Sequence, residues 1–302
     1  MKKTNFQKTT WIDFENPGAD DVLFLQENFD IHPLAIEEFM TPTLRPKATQ
    51  YDGCLFLTIH IPLFDTKTRT TFPGELDIVL TKDHLITGHT QDIYQLTEFF
   101  RMLEKSEGKR RLYMKDSPAH LLYNLLEILL DSCFPKLDHV VQKIDHIEEE
   151  IFKGNESAMV VEISIVKRDI LNFRRTLKPQ RSVLESLSQE KMKLVPAELK
   201  PYFQDLIGTN IRIWNTLEST KETIESLEET NNSLLSNKLD TTMKILTIFS
   251  AVLLPMTVYS NILAMSADIP FGKNPNAFWI HSTIMISLAF LTITVFKRKN
   301  WI

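Results

Sequence analysis

Residues 245–265 read ILTIFSAVLLPMTVYSNILAM, and residues 277–296 read AFWIHSTIMISLAFLTITVF. Neither stretch contains Asp, Glu, Lys or Arg. Each is about 20 residues long, the length that an α-helix needs to cross roughly 30 Å of hydrocarbon. Helices of a soluble domain, the alternative, would alternate polar and apolar faces over this length. The sequence therefore predicts two transmembrane helices, at about 245–265 and 277–296.

Basic residues mark one side of the membrane. Lys238 and Lys244 precede the first stretch, and the basic run 297–299 follows the second. The connecting segment, 266–276, holds a single lysine, Lys273. Because basic segments tend to stay in the cytoplasm, we expect both termini to be cytoplasmic in a multi-pass protein of the plasma or inner membrane.

The composition argues against several classes of protein. The net charge is −5 at pH 7, whereas a nucleic-acid binder is normally basic. Two cysteines are too few for a disulfide framework. The sequence lacks the motifs GxxxxGK(S/T), GxGxxG and GxSxG, which mark phosphate-binding loops, dinucleotide-binding folds and serine hydrolases. We predict a protein that is not an enzyme and has no nucleic-acid partner and no cofactor.

The first ninety residues predict a mixed α and β fold, because apolar residues alternate over short runs. Strands are predicted at 10–14, 55–63, 75–81 and 85–87, and helices at 20–28 and 33–40. Beyond residue 90 the pattern is helical, with helices predicted at 91–105, 117–133, 135–152 and 157–187. A last helix is predicted from near Glu198 to Met265, long enough to form a stalk that ends in the membrane.

The predicted fold class is therefore an α+β cytosolic domain with a long helical stalk and two transmembrane α-helices. We place the cytosolic α/β domain at 1–132 and the helical hairpin and stalk at 133–243. The two-helix transmembrane domain, with its basic cytosolic tail, is placed at 244–302.

A polar stripe follows one side of the first predicted span. At 100° per residue its polar members fall within about 80° of one another; they are Thr247, Ser250, Thr257 and Asn261. Leu254 lies inside the same arc, and Asp240 and Met243 extend the stripe toward the cytosol. One interpretation is that the hydroxyls bond to helix carbonyls and Asn261 joins neighbouring helices. The other is that the stripe lines a conduit, and since two helices cannot enclose one, this interpretation requires a homo-oligomer.

Several segments, in order along the whole chain, resemble the CorA-type magnesium and divalent-cation transporters. They are WID at 11–13, HPLAIEE at 32–38, RPK at 45–47, LFL at 55–57, FPKLDHVVQKID at 134–145, LNFRRTLKPQRSVL at 171–184, SNKLDTTMKILTIFSAVLLPMTVYSNILAMS at 236–266 and FKRKNWI at 296–302. The resemblance implies a funnel-shaped homopentamer whose first spans line the pore. Carried over by position, the pore-lining residues are Asp240, Met243, Leu246, Leu254, Thr257 and Asn261. Met243, Leu246 and Leu254 would form a constriction that gates by excluding water, and Asp240 stands where the family usually has asparagine.

The family signature Gly-Met-Asn is replaced here by Ala264-Met265-Ser266 at the expected pore mouth. In the family, amide oxygens at this point are thought to meet a hydrated Mg²⁺, which keeps its waters tightly. The serine hydroxyl is shorter than the amide, and alanine lacks the conformational freedom of glycine. We therefore expect a divalent-cation pore with altered selectivity at its entrance.

Two acidic clusters are candidate regulatory sites. On the stalk the carboxylates share one helical face at spacings of four, three and four; they are Glu218, Glu222, Glu225 and Glu229. A solvated face partly neutralised by Lys221 is one interpretation. A divalent-cation sensor between subunits, which the family possesses, is the other, and Glu229 aligns with a family carboxylate of that kind. The second cluster, at the tip of a predicted hairpin around Gly154, consists of Asp145, Glu148, Glu149 and Glu150.

The leading hypothesis is transport of Mg²⁺, with Co²⁺ and Ni²⁺ as further candidates, through a central homopentameric pore in the lipid bilayer. Mg²⁺ then acts as the substrate and as a regulatory ligand. The alternatives are a proton-coupled zinc transporter of the same fold and a non-conducting, ion-sensing membrane scaffold. His281, inside the second span, is a functional candidate because intramembrane histidines usually are, although near the outer edge it would meet lipid headgroups.

Overall fold

A mixed six-stranded sheet forms the centre of the first of two units. The strands are β1 (Lys2–Phe6), β2 (Thr9–Glu15), β3 (Lys47–Gln50), β4 (Leu55–Asp65), β5 (Thr70–Leu80) and β6 (His84–His89). Their spatial order is β1-β2-β6-β5-β4-β3. β2 and β6 are parallel, and all other neighbours are antiparallel. The four predicted strands are confirmed as β2, β4, β5 and β6.

The structure is a computed structural model that describes residues 1–43, 45–189, 192–265, 271 and 274–299. The chain divides into two units, Met1–Glu228 and Glu229–Ile302. The helices are α1 (Ala19–Asn28), α2 (Pro33–Met40), α3 (Tyr94–Lys105), α4 (Glu107–Tyr113), α5 (Pro118–Asp131), α6 (Cys133–Phe152), α7 (Glu156–Leu177), α8 (Gln180–Leu187), α9 (Lys200–Ala264) and α10 (Ala277–Arg298). A short 3₁₀ turn, Ala197–Leu199, precedes α9.

Helices cover both faces of the sheet. On one face, Phe56 of β4 and Val79 of β5 pack in a buried cluster with Phe39 of α2. On the other face, the ring of Trp11 in β2 contacts Phe99 and Phe100 of α3. The alternating pattern that predicted β4 therefore belongs to a strand whose two faces are both buried, because a helical layer packs against each face of the sheet.

The WID segment supplies a buried polar network. Trp11 Nε1 donates to Thr87 Oγ1 at 3.0 Å, and Thr87 Oγ1 donates to Asp13 Oδ1 at 2.6 Å. His89 Nε2 lies 3.6 Å from Asp13 Oδ2, and both residues are more than 95% buried. Burial disfavours protonation of His89, but the neighbouring Asp13 carboxylate outweighs burial and raises the histidine pKa. These bonds tie β2 to β6 across a long sequence separation.

Asp77 of β5 is a second buried acid in the sheet. It is 7% exposed, and Thr58 Oγ1 donates to its Oδ1 at 2.6 Å. Burial raises the pKa of this carboxyl to about 7, although the Thr58 hydroxyl opposes the shift. The folded protein therefore binds a proton at Asp77 more tightly than the unfolded chain does.

Asp77→Asn should change how stability depends on pH. Because the folded pKa is raised, the contribution of Asp77 is largest below pH ~4, where an unfolded Asp titrates, and is lost as the pH rises through about 7. Between pH 5 and 8 the wild type should lose roughly 2 kcal/mol relative to the variant. Thermal unfolding of both full-length proteins in detergent, measured across this range, checks the difference. His89 is present in both proteins and contributes equally to both curves. Parallel curves of stability against pH would therefore contradict the raised pKa of Asp77.

The helical part confirms the predicted pattern with one correction. The helix predicted at 157–187 is two helices, α7 and α8, which separate at Lys178 and Pro179. Proline lacks a backbone N–H and its ring clashes with the preceding turn, so the helix restarts there. The sequence also missed three elements, β1, β3 and α4, which are short and carry little apolar periodicity. Between α6 and α7, Gly154 has a φ of 95°, which glycine adopts readily at a helix end.

The two predicted spans are confirmed as apolar helices long enough to cross a membrane. Both α9 and α10 contain a window with a mean hydropathy of 1.7, and no residue of either window is buried in the protein. Pro255 lies inside α9, where it removes one backbone hydrogen bond of the helix. The second unit, from residue 229, thus consists of the carboxyl-terminal part of α9 and α10.

Candidate functional site

One face of the membrane part of α9 packs on α10. Its partly buried residues recur every three or four positions; they are Ile248, Ala251, Val252, Pro255, Met256, Tyr259 and Leu263. Tyr259 identifies the neighbour, because its Oη lies 2.7 Å from Nδ1 of His281 in α10. Ser260 Oγ lies 3.8 Å from Met285 Sδ beside this contact. The two spans therefore form a hairpin with a defined packed face.

The predicted pore residues lie on the opposite face of α9. Met243, Leu246 and Leu254 are 59%, 56% and 63% exposed. Asp240, Thr257 and Asn261 are also exposed. At 100° per residue the centres of the packed face and of the polar stripe are about 150° apart. The structure thus brings the predicted set together on one surface that α10 does not cover.

Two hydroxyls of the polar stripe donate to their own helix. Thr247 Oγ1 donates to the Met243 carbonyl at 2.7 Å, and Thr257 Oγ1 donates to the Leu254 carbonyl at 2.8 Å. The interpretation that hydroxyls satisfy helix carbonyls therefore holds for both. A hydroxyl that donates in this way still has oxygen lone pairs that accept a hydrogen bond from a water. The stripe consequently presents acceptors, which suit the water shell of a cation.

The signature position lies at the carboxyl end of α9. Ala264 is the last helical residue, and Met265 follows it with 66% of its surface exposed. The Met265 N–H donates to the Asn261 carbonyl at 3.2 Å. Ser266, the third residue of the predicted pore mouth, lies outside the described residues.

The structure divides the four stalk carboxylates into two kinds. Glu218 pairs with Arg174 at 2.6 Å, and Glu225 pairs with Lys221 at 3.1 Å. These two charges are already neutralised within the chain. Glu222 and Glu229 are exposed and make no ion pair among the described residues. They are therefore the members of the set that are open to a cation.

The hairpin-tip cluster is partly neutralised as well. Lys153 pairs with Glu149 at 2.7 Å and with Glu150 at 3.2 Å. Asn155 Nδ2 donates to Glu150 at 2.6 Å, and this bond together with Lys153 lowers the pKa of Glu150. Within the described part of the chain, no group of three or more His, Cys, Asp or Glu side chains is arranged to hold a metal ion.

Sequence reasoning noted His281 but missed its bond to Tyr259. The available signal was the single phenol of the first stretch and the single imidazole of the second, since polar groups buried in hydrocarbon need partners. Their pairing depends on the register of the hairpin, which the sequence does not fix.

An α/β unit followed by two apolar helices of membrane-spanning length is the architecture of a two-span membrane protein. The family of CorA-like Mg²⁺ transporter proteins matches residues 6–298, and the chain belongs to this family. The family is one of transporters rather than of enzymes.

Similar proteins span nearly the whole chain. The cobalt/magnesium transport protein CorA of Thermotoga maritima is 27% identical over 301 residues, which cover 97% of this chain and 83% of that protein. The putative metal ion transporter YfjQ of Bacillus subtilis is 27% identical over 297 residues, covering 96% and 89%. The complete structure of the CorA magnesium transporter from Methanocaldococcus jannaschii superposes with a TM-score of 0.84 at 21% identity, covering 100% of this chain and 95% of that one. The fold is therefore that of CorA.

Proposed function

We propose that this chain is one subunit of a homopentamer that carries a hydrated divalent cation across the cell membrane. Mg²⁺ is the leading substrate, and Co²⁺ and Ni²⁺ are the next candidates. Both termini lie in the cytoplasm. One observation carries the proposal: the polar stripe of α9 lies opposite the face that packs on α10. The Thr247 and Thr257 hydroxyls bond to their own helix, but the Asn261 amide in hydrocarbon needs a protein or water partner.

The geometry of one hairpin explains why copies are needed. Packing on α10 covers one face of α9, and the polar stripe on the other face stays uncovered. Identical neighbours around a closed axis would turn every stripe toward the centre. The α/β domain, the hairpin with its stalk, and the transmembrane segment (1–132, 133–243 and 244–302) would then each form a ring.

Each part of the stripe has a distinct role in this proposal. Asp240 raises the local cation concentration at the inner end. Met243, Leu246 and Leu254 form an apolar constriction that stops conduction when it dries. Thr257 and Asn261 offer oxygens to the waters of the ion, which Mg²⁺ releases reluctantly. At the outer mouth stand Ala264, Met265 and Ser266.

The driving force in this proposal is the membrane potential. One elementary charge gains about 2.3 kcal/mol per 100 mV, so a divalent ion gains about twice that amount. Uptake into a negative interior therefore needs no cofactor and no covalent chemistry.

Flux into proteoliposomes tests the proposal. Purified protein is reconstituted, and the entry of Mg²⁺, Co²⁺, Ni²⁺ and Zn²⁺ is measured with and without an inside-negative potential. We expect Mg²⁺ entry that rises with the potential. Zinc entry driven by a proton gradient would instead indicate the proton-coupled alternative. No flux of any of the four ions through a folded oligomer would leave only the scaffold role.

Asp240→Asn should reduce cation entry about threefold at low ionic strength and much less at high ionic strength, because salt screens the attraction between the carboxylates and the ion. Single-channel or flux measurements at two salt concentrations check this. Asp131→Asn, which removes an exposed acid from α5, is the matched control. Equal salt dependence in both variants would remove Asp240 from the pathway.

Glu229→Ala and Glu222→Ala should weaken protection of the stalk by Mg²⁺. In the wild type, millimolar Mg²⁺ is expected to slow proteolysis within α9, because the cation bridges carboxylates that the chain leaves unpaired. Limited proteolysis over a Mg²⁺ titration measures the Mg²⁺ concentration that gives half-maximal protection. This concentration should be several times higher in each variant, because each variant removes one carboxylate ligand of the cation. Glu225→Ala is the control, since Lys221 already neutralises that carboxylate. Identical titrations for all four proteins would exclude a sensor on this face.

A further inference from the structure

The Tyr259–His281 contact links the two spans through polar side chains. Tyr259 Oη lies 2.7 Å from His281 Nδ1, and the ring centroids are 6.0 Å apart. The other imidazole nitrogen, Nε2, is buried and has no hydrogen-bond partner among the described residues. The bond to Tyr259 is therefore the polar contact that the described part of the chain gives this imidazole. This hydrogen bond can form with either neutral tautomer of His281, because the phenol oxygen and the imidazole Nδ1 can each act as donor or acceptor.

The position of Tyr259 on α9 relates it to the polar stripe. Thr257 and Asn261 lie two residues before and after it, so each projects about 160° away around the helix. Rotation of this segment would therefore move both side chains out of the stripe. A contact that fixes Tyr259 against α10 consequently fixes the direction in which Thr257 and Asn261 point.

Pro255 weakens α9 just before the outer segment, 256–264, so the rotation of that segment needs a restraint from outside the helix. Because Pro255, one turn before Tyr259, has no N–H, the carbonyl of Ala251 loses its partner in the helix. The helix is therefore easier to bend or twist at this point than elsewhere. The outer segment, 256–264, needs contacts of its own to keep its rotation.

We propose that Tyr259 and His281 form a positioning pair that sets the rotation of the outer segment of α9 and so presents Thr257 and Asn261 to the ion pathway. This inference rests on the proposed transport function for its consequence, but the pair itself can be detected without transport. Both residues act through the helix and do not touch the ion.

Flux measures the consequence of the pair. Tyr259→Phe, which removes only the hydroxyl, should lower the maximal Mg²⁺ entry rate roughly 3- to 20-fold with little change in KM, the range expected when a membrane-buried hydrogen bond is lost. The exchanged double variant, Tyr259→His with His281→Tyr, restores the bond with its partners reversed and should recover most of the rate. Thr283→Val is the matched control, because Thr283 donates to the Trp279 carbonyl of its own helix.

Cross-linking measures the pair itself. Cysteines replacing Ser260 and Met285, whose Oγ and Sδ atoms lie 3.8 Å apart, should be joined by a short bifunctional thiol reagent in the otherwise wild-type chain, because a cysteine Sγ ends nearer the backbone than a methionine Sδ. The native thiols, Cys54 and Cys133, are buried and distant in sequence. Adding Tyr259→Phe should slow cross-linking severalfold, and the exchanged pair should restore it.

The two measurements separate the possible failures. A wild type without flux would overturn the proposed function, while slower cross-linking in Tyr259→Phe would still show that the bond holds the segment. Unchanged cross-linking in Tyr259→Phe would overturn the positioning pair. Slower cross-linking with an unchanged flux would also overturn it, since the bond would then not direct the pathway. Failure of the exchanged pair in both assays would assign the effect of Tyr259→Phe to packing and would overturn the proposal as well.

Discussion

Asn261→Leu should reduce Mg²⁺ entry into proteoliposomes at least about tenfold. The amide lies on the exposed face of α9, within the polar stripe. Losing a hydrogen bond to the water shell of an ion costs on the order of 1–3 kcal/mol, and 1.4 kcal/mol corresponds to a factor of ten. Every subunit of an oligomer would lose the same group, so the effect accumulates. Initial rates of Mg²⁺ entry at saturating concentration measure it, and Asn261→Gln, which keeps the amide, should retain most of the flux.

Two threonines provide a matched control for the face of the helix. Thr257 and Thr294 are both exposed, and each donates to a carbonyl of its own helix. Thr257→Val should lower the flux, whereas Thr294→Val in α10 should leave it unchanged. Both substitutions remove a threonine hydroxyl that donates to its own helix. A difference in flux between the two variants therefore reports only where the hydroxyl lies. Equal effects of the two variants, together with full flux in Asn261→Leu, would place the ion pathway elsewhere.

Trp11→Ala should lower the free energy of unfolding of the α/β unit by about 3–5 kcal/mol. Trp11 is 0% exposed, packs against Phe99 and Phe100, and begins the hydrogen-bonded chain through Thr87 to Asp13. The alanine leaves a cavity and removes the donor to Thr87. Chemical denaturation of the full-length protein in detergent, followed by circular dichroism, measures the loss.

Two further variants test the reason for this loss. Trp11→Phe keeps an aromatic ring and loses the N–H, so its cost should be smaller, about 1–2 kcal/mol. Phe152→Ala changes a side chain that is 67% exposed and should stay within about 0.5 kcal/mol of the wild type. A Trp11→Ala protein as stable as Phe152→Ala would show that the sheet does not depend on this residue.

Local patterns predicted most of the elements correctly. The helix at 33–40 is confirmed at both ends, because Pro33 favours a first helical position and Met40 ends the apolar run. The strand at 10–14 lies within β2. The break at Pro179 was missed, since the apolar period continues on both sides of it. The edge strand β1 was missed because its side chains alternate weakly, and it forms by backbone pairing with β2.

The candidate site was predicted only in part. The polar stripe follows from helical period and polarity, and its residues are exposed on one face of α9; their role in a pore stays a prediction. The packed face of α9 was not predicted, because its contact with α10 depends on how the two helices of the hairpin align. Equal spacing made the four stalk glutamates look alike, yet Glu218 and Glu225 are ion-paired and Glu222 and Glu229 are not.

The sequence by itself determined the two membrane spans, because the free energy of transferring a helix into hydrocarbon is a sum over neighbouring residues and needs no tertiary contact. It also determined the side of α9 that is polar, since a helix has a fixed period. Only the tertiary structure decided which residues meet across long separations: Asp13 with His89 through the parallel pairing of β2 and β6, and Tyr259 with His281 through the packing of two helices. Such contacts form where the geometry of the whole fold brings distant segments together, and local sequence patterns do not specify that geometry.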